Sequence, residues 1–284
     1  MQSVWEPSGC ALQYRSINEG VNCMSDIKDK TQRVPFILFV GDSRIQQLRD
    51  GMILSLTGDD YDALSSIFAL KSPAAYAKYG ASQSVYQFIG AQIKFIWEPY
   101  LDDGTGSMTQ LLRNISRAEF QPDLLVIGAG MYSIKDCATE NEKQRDCAER
   151  YQKQFKGLLP LLEKLAVTTD VIWVPQFAVK ENVIAVKSRS ADYTNKNMQL
   201  YNNMIREVLA SQTTSGVIFW ESAWEVSLQI NDGIDGIHIG LQTKHHLAQM
   251  LLDWLCSPVR REPTSFMNAK VVFGRRQLTY CCAQ

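Results

Sequence analysis

Several features are scarce in this sequence of 284 residues, and each scarcity excludes a class of protein. No window approaches the ~18 consecutive apolar residues that a membrane-spanning helix needs. The formal net charge is −1, so no long-range attraction to nucleic acid or to acidic membranes is expected. Only three His occur and no two Cys are spaced as C-x-x-C, so we expect no bound metal. With 9 Pro, 17 Gly and 45% hydrophobic residues, the chain is typical of a folded domain rather than of disorder or collagen.

Cysteines, by contrast, are numerous. The seven are Cys10, Cys23, Cys137, Cys147, Cys256, Cys281 and Cys282. Together with one N-x-S sequon at Asn114, they favour an oxidising compartment. Residues 1–10 include Glu6 and Pro7 and do not resemble a signal peptide, so we expect any targeting segment to lie outside the sequence shown.

An odd number of cysteines leaves at least one thiol free or bonded to another chain. Proximity in the sequence is the only guide to the pairing of the others. It suggests these bonds: Cys10–Cys23, Cys137–Cys147, and Cys256 with Cys281 or Cys282.

Short apolar, β-branched segments alternate along the chain with segments of helical periodicity. The apolar segments are Phe36–Val40, Ile93–Trp97, Leu124–Gly128, Val171–Pro175 and Val217–Trp220. Continuous apolar strands are typical of a parallel sheet covered on both faces. The amphipathic segments are Arg44–Leu56, Met108–Arg117, Cys147–Ala166, Asn197–Ala210 and Leu241–Leu255. This alternation predicts an α/β fold, namely a three-layer α/β/α sandwich with a mainly parallel five-stranded sheet.

The same pattern predicts the domain organisation. We expect a single domain over residues 1–284, with its core at about 34–256. Residues 1–33 and 257–284 lack the alternation and are expected to be appended segments.

Residues with catalytic chemistry follow the predicted strands, at the edge of the sheet where ligands bind in such folds. Gly41, Asp42 and Ser43 follow the first strand. A serine at a helix N-terminus lies beside backbone N–H groups and a helix dipole that favour an oxyanion. Ser43 is therefore a candidate nucleophile; the alternative is that Asp42 or Ser43 only caps the helix.

A candidate general base for Ser43 lies near the end of the chain. His238 follows Asp235 with D-x-x-H spacing in a Gly-rich loop. This spacing lets the carboxylate accept from one ring nitrogen while the other faces Ser43, although Asp235 is alternatively a plain turn residue. The remaining histidines, His245 and His246, lie in a predicted helix and are expected to be structural or surface residues.

The order of these motifs resembles the SGNH-hydrolase superfamily, and more closely its PC-esterase branch. Three stretches are similar to the luminal domain of the animal Golgi sialate O-acetyltransferase family: G-D-S-R-I-Q-Q-L at 41–48, L-L-P-L-L-E-K-L-A at 158–166 and D-G-I-H at 235–238. The Cys pair at 281–282 fits that domain too. The resemblance covers about residues 5–284. It implies a location in the Golgi lumen and a multi-span membrane region outside this chain.

The resemblance also implies catalytic roles. Ser43 would be the nucleophile, His238 the base and Asp235 the partner that orients it. The backbone N–H groups of Ser43 and Gly106 would form the oxyanion hole.

One departure from the superfamily pattern concerns a further oxyanion donor. The third block of the superfamily normally reads Gly-x-Asn, but residues 128–130 are Gly-Ala-Gly here. Tyr132, the backbone N–H of Gly130 or Arg44 would have to replace the missing Asn. Arg44 and Tyr132 are also candidates for binding the substrate, although Arg44 is alternatively a surface residue on the helix face. Asn114 is the candidate glycosylation site.

The function implied by the resemblance is O-acetyl transfer. An acetyl group would pass from acetyl-CoA, through an acetyl-serine, to a hydroxyl of a sialic acid that is free, CMP-linked or glycan-bound. No bound cofactor is expected, because acetyl-CoA serves as a donor substrate, and the partners are acetyl-CoA and a sugar. Chemistry alone leaves three alternatives: a carbohydrate O-acetylesterase with the same triad, an O-acetyltransferase acting on a polysaccharide, and a catalytically silent binding domain.

Overall fold

A computed structural model describes residues 14–58, 84–88, 90–102, 107–184, 192–212, 215–233 and 235–256. Within these ranges the chain forms one sheet with helices on both faces. This is the three-layer α/β/α arrangement that the strand–helix alternation predicts. The domain boundaries expected from the sequence stay a prediction, and residues 257–284 lie outside the described ranges.

The sheet has a parallel body and one antiparallel edge. Its strands are β1 (Phe36–Gly41), β2 (Ser84–Phe88), β3 (Ala91–Trp97), β4 (Leu124–Gly128), β5 (Asp170–Trp173) and β6 (Val217–Phe219). They are arranged in the order β2-β3-β1-β4-β5-β6. All neighbours from β3 to β6 are parallel, which confirms the predicted five-stranded parallel sheet. The sixth strand, β2, pairs antiparallel with β3 and was not predicted, because its sequence S-V-Y-Q-F is not a continuous apolar run.

Strand β1 shows why the apolar segments lie at the centre of the sheet. Leu38 and Val40 pack into the core on one face, whereas Ile37 and Phe39 pack into the core on the other. All four side chains are at most 2% exposed. Burial of such side chains contributes about 1.5–3 kcal/mol each, which holds the strand between the two helical layers.

Eight helices are found in the described part of the chain. They are α1 (Ile17–Thr31), α2 (Ser43–Thr57), α3 (Met108–Arg117), α4 (Met131–Thr139), α5 (Gln144–Leu165), α6 (Asn195–Ala210), α7 (Glu221–Ile230) and α8 (Leu241–Cys256). Helices α3 to α6 cover one face of the sheet, and α1, α2, α7 and α8 cover the other. The five predicted amphipathic helices are all present, with ends shifted by at most three residues. The short helix α4 and the N-terminal α1 were not predicted.

Two disulfides join helices in the described part of the chain. Cys137–Cys147 links α4 to α5, as proximity suggested. Cys23, however, is bonded to Cys256 and not to Cys10, so both other suggested pairings are wrong. The reason is tertiary packing: α1 lies against α8 and brings together two cysteines that are 233 positions apart, with a Cα–Cα distance of 5.8 Å. Cys10, Cys281 and Cys282 lie outside the described residues.

Candidate active site

The candidate nucleophile lies where β1 passes into α2. Gly41 ends the strand, and a Cβ at this position would be 2.1 Å from the carbonyl oxygen of Gly128 in β4, so no larger residue fits. Asp42 then caps α2, because its carboxylate accepts a hydrogen bond from the backbone N–H of Arg44 (2.9 Å). Since Asp42 does the capping, the hydroxyl of Ser43 is left for another partner.

That partner is His238, in a continuous chain of hydrogen bonds. The distance from Ser43 Oγ to His238 Nε2 is 2.8 Å, and the distance from His238 Nδ1 to Asp235 Oδ2 is 2.5 Å. With Asp235 accepting from Nδ1–H, the lone pair of Nε2 faces the hydroxyl. The three predicted residues therefore lie together, in the arrangement that removes a proton from a serine during nucleophilic attack.

Asp235 also orders the turn that carries the histidine. Its second oxygen, Oδ1, accepts hydrogen bonds from the backbone N–H groups of Ile237 (2.9 Å) and His238 (2.8 Å). Partial burial acts to raise the pKa of Asp235, but these bonds and the one from the imidazole outweigh it and leave the pKa below its ordinary value. The carboxylate therefore stays ionised at neutral pH and can stabilise an imidazolium.

Helix α2 holds the histidine loop as well as the serine. Nε of Arg44 donates to the carbonyl oxygen of Ile237 (3.0 Å), one residue before His238. The carboxamide of Gln47 exchanges two hydrogen bonds with the backbone of Ile239, one residue after it (3.2 and 3.1 Å). Sequence reasoning missed Gln47, although its position three residues after Arg44 places both on one face of α2.

Arg44, next to Ser43 in the sequence, is a buried cation and is only 2% exposed. Burial lowers its pKa to about 10, although Asp42, Tyr193 and Asp235 oppose the shift, so the guanidinium remains charged at neutral pH. Burial also raises the pKa of Asp42, against the opposing effect of Arg44. The Nη2 atom of Arg44 is buried and has no hydrogen-bond partner among the described residues.

An aromatic wall, defined here as Trp97, Tyr100 and Tyr132, stands at the same edge of the sheet. Trp97 is aligned with Gly41 in the β1–β3 register, and its ring lies 5.8 Å from that of Tyr132 at the start of α4. The rings of Tyr100 and Tyr132 are 5.6 Å apart. The hydroxyl of Tyr100 donates to Asp136 (2.8 Å), and burial together with this carboxylate raises the pKa of Tyr100 to about 12. All three rings are partly exposed, so a ligand has access to them.

Of the three predicted oxyanion donors, Ser43 and Gly130 lie within the described residues. Ser43 is the first residue of α2, so its backbone N–H is at the positive end of that helix. Gly130 lies two residues beyond β4 and caps α4 without a side-chain hydrogen bond. Gly106 lies outside the described residues.

The remaining predicted residues lie away from Ser43. Asn114 is exposed on α3 and accepts a hydrogen bond from Gln110 (2.9 Å). Nδ1 of His246 bonds to the carbonyl oxygen of Gln242 (3.0 Å), and the ring of His245 stacks on Tyr14 at 6.1 Å. These contacts assign both histidines to the packing of α8.

Across the described ranges, no cluster of three or more His, Cys, Asp or Glu is positioned to hold a metal ion. None of the helices in the part of the chain that the structure covers is both long and apolar enough to span a membrane.

A curated enzyme is similar to this chain over most of the chain's length. The chain is 25% identical over 260 residues to an N-acetylneuraminate (7)9-O-acetyltransferase of Danio rerio, covering 90% of this chain. The aligned region is 29% of that relative, so the chain spans less than a third of the relative's length. No family model matches the sequence. The resemblance to sialate O-acetyltransferases noted from the sequence motifs is confirmed by this relative.

Several solved structures have a similar chain trace. A GDSL-like lipase from Parabacteroides merdae is 18% identical, with a TM-score of 0.44 over 78% of this chain and 96% of that chain. A variant of an acetylxylan esterase from Geobacillus stearothermophilus is 13% identical, with a TM-score of 0.40 over 78% and 94%. A carbohydrate acetylesterase from Sinorhizobium meliloti is 15% identical, with a TM-score of 0.36 over 57% and 79%.

Proposed function

Because the chain has a sialate O-acetyltransferase as a relative, we propose that it is the catalytic domain of an O-acetyltransferase that acetylates a hydroxyl of a sialic acid. The observation that carries the proposal is the hydrogen-bonded series of Ser43, His238 and Asp235. Acetyl-CoA is the proposed donor, and the acceptor is a sialic acid that is free, CMP-linked or part of a glycan.

The proposed reaction has two halves. In the first, Nε2 of His238 takes the proton of Ser43 as Oγ attacks the carbonyl carbon of the thioester. The tetrahedral oxyanion collapses, the carbon–sulfur bond breaks, and coenzyme A leaves with the proton returned by His238. In the second, His238 takes the proton of the acceptor hydroxyl, whose oxygen attacks the acetyl-serine. Ser43 leaves as the alcohol and regains a proton, so the enzyme returns to its starting state.

Features of the site support a sugar as the second nucleophile. The partly exposed rings of the aromatic wall offer apolar faces to the C–H groups of a pyranose. The buried guanidinium of Arg44 stays charged at neutral pH, and its positive potential next to Ser43 favours the carboxylate of a sialic acid. A bound acceptor would also exclude water, and transfer rather than hydrolysis depends on that exclusion.

The proposed location is the lumen of the Golgi. Two disulfides in the described chain and an exposed sequon at Asn114 support an oxidising secretory compartment. The multi-span membrane region implied by the resemblance remains a prediction for sequence outside this chain.

The test is product analysis with labelled acetyl-CoA. Intact-mass measurement without acceptor is expected to detect one acetyl group on the protein, mapped by peptide analysis to Ser43. Addition of sialic acid, CMP-sialic acid or a sialylated glycan is expected to yield labelled sugar in excess over free acetate. Ser43→Ala should give neither product, whereas Ser211→Ala, at the exposed end of α6, should behave as wild type.

Each other outcome identifies an alternative. Labelled acetate in equal amount with and without sugar would make the protein an esterase. Transfer only to a neutral polysaccharide would reassign the acceptor. A folded wild-type protein with no adduct on Ser43 and no turnover of any acetyl ester would overturn the enzymatic proposal.

A further inference from the structure

We infer that Gln176 and Tyr151 are positioning residues that orient the backbone N–H of Gly130 toward the reacting oxygen. The inference rests on the proposed use of Ser43 as the nucleophile. It concerns the place in the site where the sequence lacks the expected Asn donor.

The first observation is a carbonyl group drawn into the core. The carbonyl oxygen of Ala129 accepts two hydrogen bonds, one from the hydroxyl of Tyr151 (2.5 Å) and one from Nε2 of Gln176 (2.6 Å). Both donors are buried, at 2% and 5% exposure, and Ala129 itself is fully buried. Two buried donors on a single acceptor hold the direction of that C=O bond firmly.

The second observation concerns the same peptide unit. In a planar trans peptide the C=O bond of one residue and the N–H bond of the next point in opposite directions. Since Tyr151 and Gln176 hold the Ala129 carbonyl inward, the N–H of Gly130 is directed away from them. Gly130 lies two residues beyond Gly128, and Gly128 is paired with Gly41, two residues before Ser43. The N–H group is thus held at the edge of the sheet that carries Ser43.

The third observation explains the glycine. Gly130 has a φ of +136°, which disfavours any other residue, and a Cβ there would lie 2.9 Å from Nε2 of Gln176. The carboxamide of Gln176 thus occupies space that a side chain at position 130 would need. The absence of a side chain at Gly130 therefore leaves room for the carboxamide of Gln176, which fills this space and bonds to the Ala129 carbonyl.

The backbone of Gln176 is itself fixed by the side chain of Asn202. Its backbone N–H donates to Oδ1 of Asn202 (2.6 Å), and Nδ2 of Asn202 donates back to its carbonyl oxygen (2.9 Å). Its own Oε1 is buried without a partner among the described residues. A buried acceptor left unpaired costs free energy, so the hydrogen bond of Nε2 to Ala129, and not a bond to Oε1, fixes the orientation of the carboxamide.

The test uses hydrolysis of an activated acetyl ester, so that it does not depend on the identity of the acceptor. Gln176→Met removes the donor and keeps the length of the side chain, and Tyr151→Phe removes a single hydroxyl. We expect kcat to fall about 10- to 100-fold in Gln176→Met and less in Tyr151→Phe. A misdirected N–H group still stabilises the oxyanion in part, so the loss should be smaller than the loss on deleting an oxyanion donor. KM should change less than twofold. The affinity of a boronic acid, which forms a tetrahedral adduct with serine, should fall in parallel with kcat.

Controls separate positioning from folding and from the triad. Gln152→Met removes a similar bond, from a glutamine Nε2 to the carbonyl oxygen of Met204, away from Ser43, and should keep wild-type kcat. The pH at half-maximal kcat should be the same in Gln176→Met as in wild type, because His238 and Asp235 are untouched. Wild-type kcat in both folded variants, or a kcat loss accompanied by a shifted pH profile, would overturn the inference. If Ser43→Ala retained turnover, the proposed function itself would fail instead.

Discussion

Oγ of Ser43 lies 2.8 Å from Nε2 of His238, although the two residues are 195 positions apart. Helix α2 creates this proximity, because it begins with Ser43 and its side chains at 44 and 47 bond to the backbone on both sides of His238. Ser43 and the backbone around His238 are thus held by the same helix. Their geometry should depend on α2 more than on the Gly-rich loop.

Removal of the Ser43 hydroxyl should abolish turnover while leaving the fold unchanged. Ser43→Ala deletes a partly exposed hydroxyl whose described bond is to His238, so we expect the free energy of unfolding to change by less than about 0.5 kcal/mol. Turnover of an acetyl ester should fall at least about 10³-fold. Urea denaturation and steady-state kinetics measure both. Near-normal turnover would show that another group is the nucleophile.

Asp235→Asn should affect activity and the pH dependence of stability differently. The amide retains an oxygen for the backbone N–H groups, but an ionised partner for Nδ1 of His238 is lost, so kcat should fall about 10³- to 10⁴-fold.

The stability effect of the same variant follows from the lowered pKa of Asp235. A folded pKa below the unfolded value, about 4, gives stability that is present above pH 4 and is lost as pH falls through the folded pKa. The stability difference between wild type and Asp235→Asn should therefore shrink as the pH falls from about 5 to about 2. The difference should be small at every pH, because the Asp235 side chain is about half exposed and solvent screens its charge. Urea denaturation over this range measures it, and a difference that grows toward low pH would contradict the assignment.

Gln47→Met should loosen the histidine loop without touching the triad. Its carboxamide makes two hydrogen bonds to Ile239, so the variant should lose about 1–2 kcal/mol of stability. We expect kcat to fall about 5- to 20-fold, because displacement of a catalytic group by about 1 Å is costly. The neighbouring Gln46→Met is the matched control. If both variants kept wild-type kcat, α2 would not be what holds the imidazole.

Removal of the aromatic ring at position 132 should weaken acceptor binding. Tyr132→Ala is expected to raise the acceptor KM about tenfold, since its ring packs edge-on against both Trp97 and Tyr100. Tyr132→Phe keeps the ring and should leave KM within twofold. Transfer kinetics at varied acceptor concentration measure KM for both variants. Equal KM values for Tyr132→Ala and wild type would show that the aromatic wall does not bind the acceptor.

The two disulfides should differ in their contribution to stability. Cys23–Cys256 closes a loop of 233 residues and Cys137–Cys147 closes one of 10, so chain entropy predicts a larger loss for the first. We expect about 3–5 kcal/mol for Cys23→Ser with Cys256→Ser, and about 2–3 kcal/mol for Cys137→Ser with Cys147→Ser. Chemical denaturation of the two double variants tests the order, which a reversed ranking would contradict.

Much of the architecture is evident in the amino-acid order alone. Continuous apolar runs such as 36–40 can be buried only in a sheet with two covered faces, and the periodicity of 147–166 has one apolar side. The strand β2 escaped prediction because its sequence is not a continuous apolar run, and the helix α1 because it precedes the first strand, outside the strand–helix alternation. Their places come from partners elsewhere, β3 for the strand and α2 and α8 for the helix.

Local patterning therefore determined the layers of this protein, the five parallel strands, and the residue types able to act at Ser43, Asp235 and His238. Only the tertiary structure decided which groups meet. Examples are the disulfide between Cys23 and Cys256, the two hydrogen bonds between Gln47 and Ile239, and the two buried side chains that donate to the carbonyl oxygen of Ala129. The physical reason is range. Backbone preference and hydrophobic period act over a few residues, whereas hydrogen bonds and disulfides form between any groups that packing brings into contact.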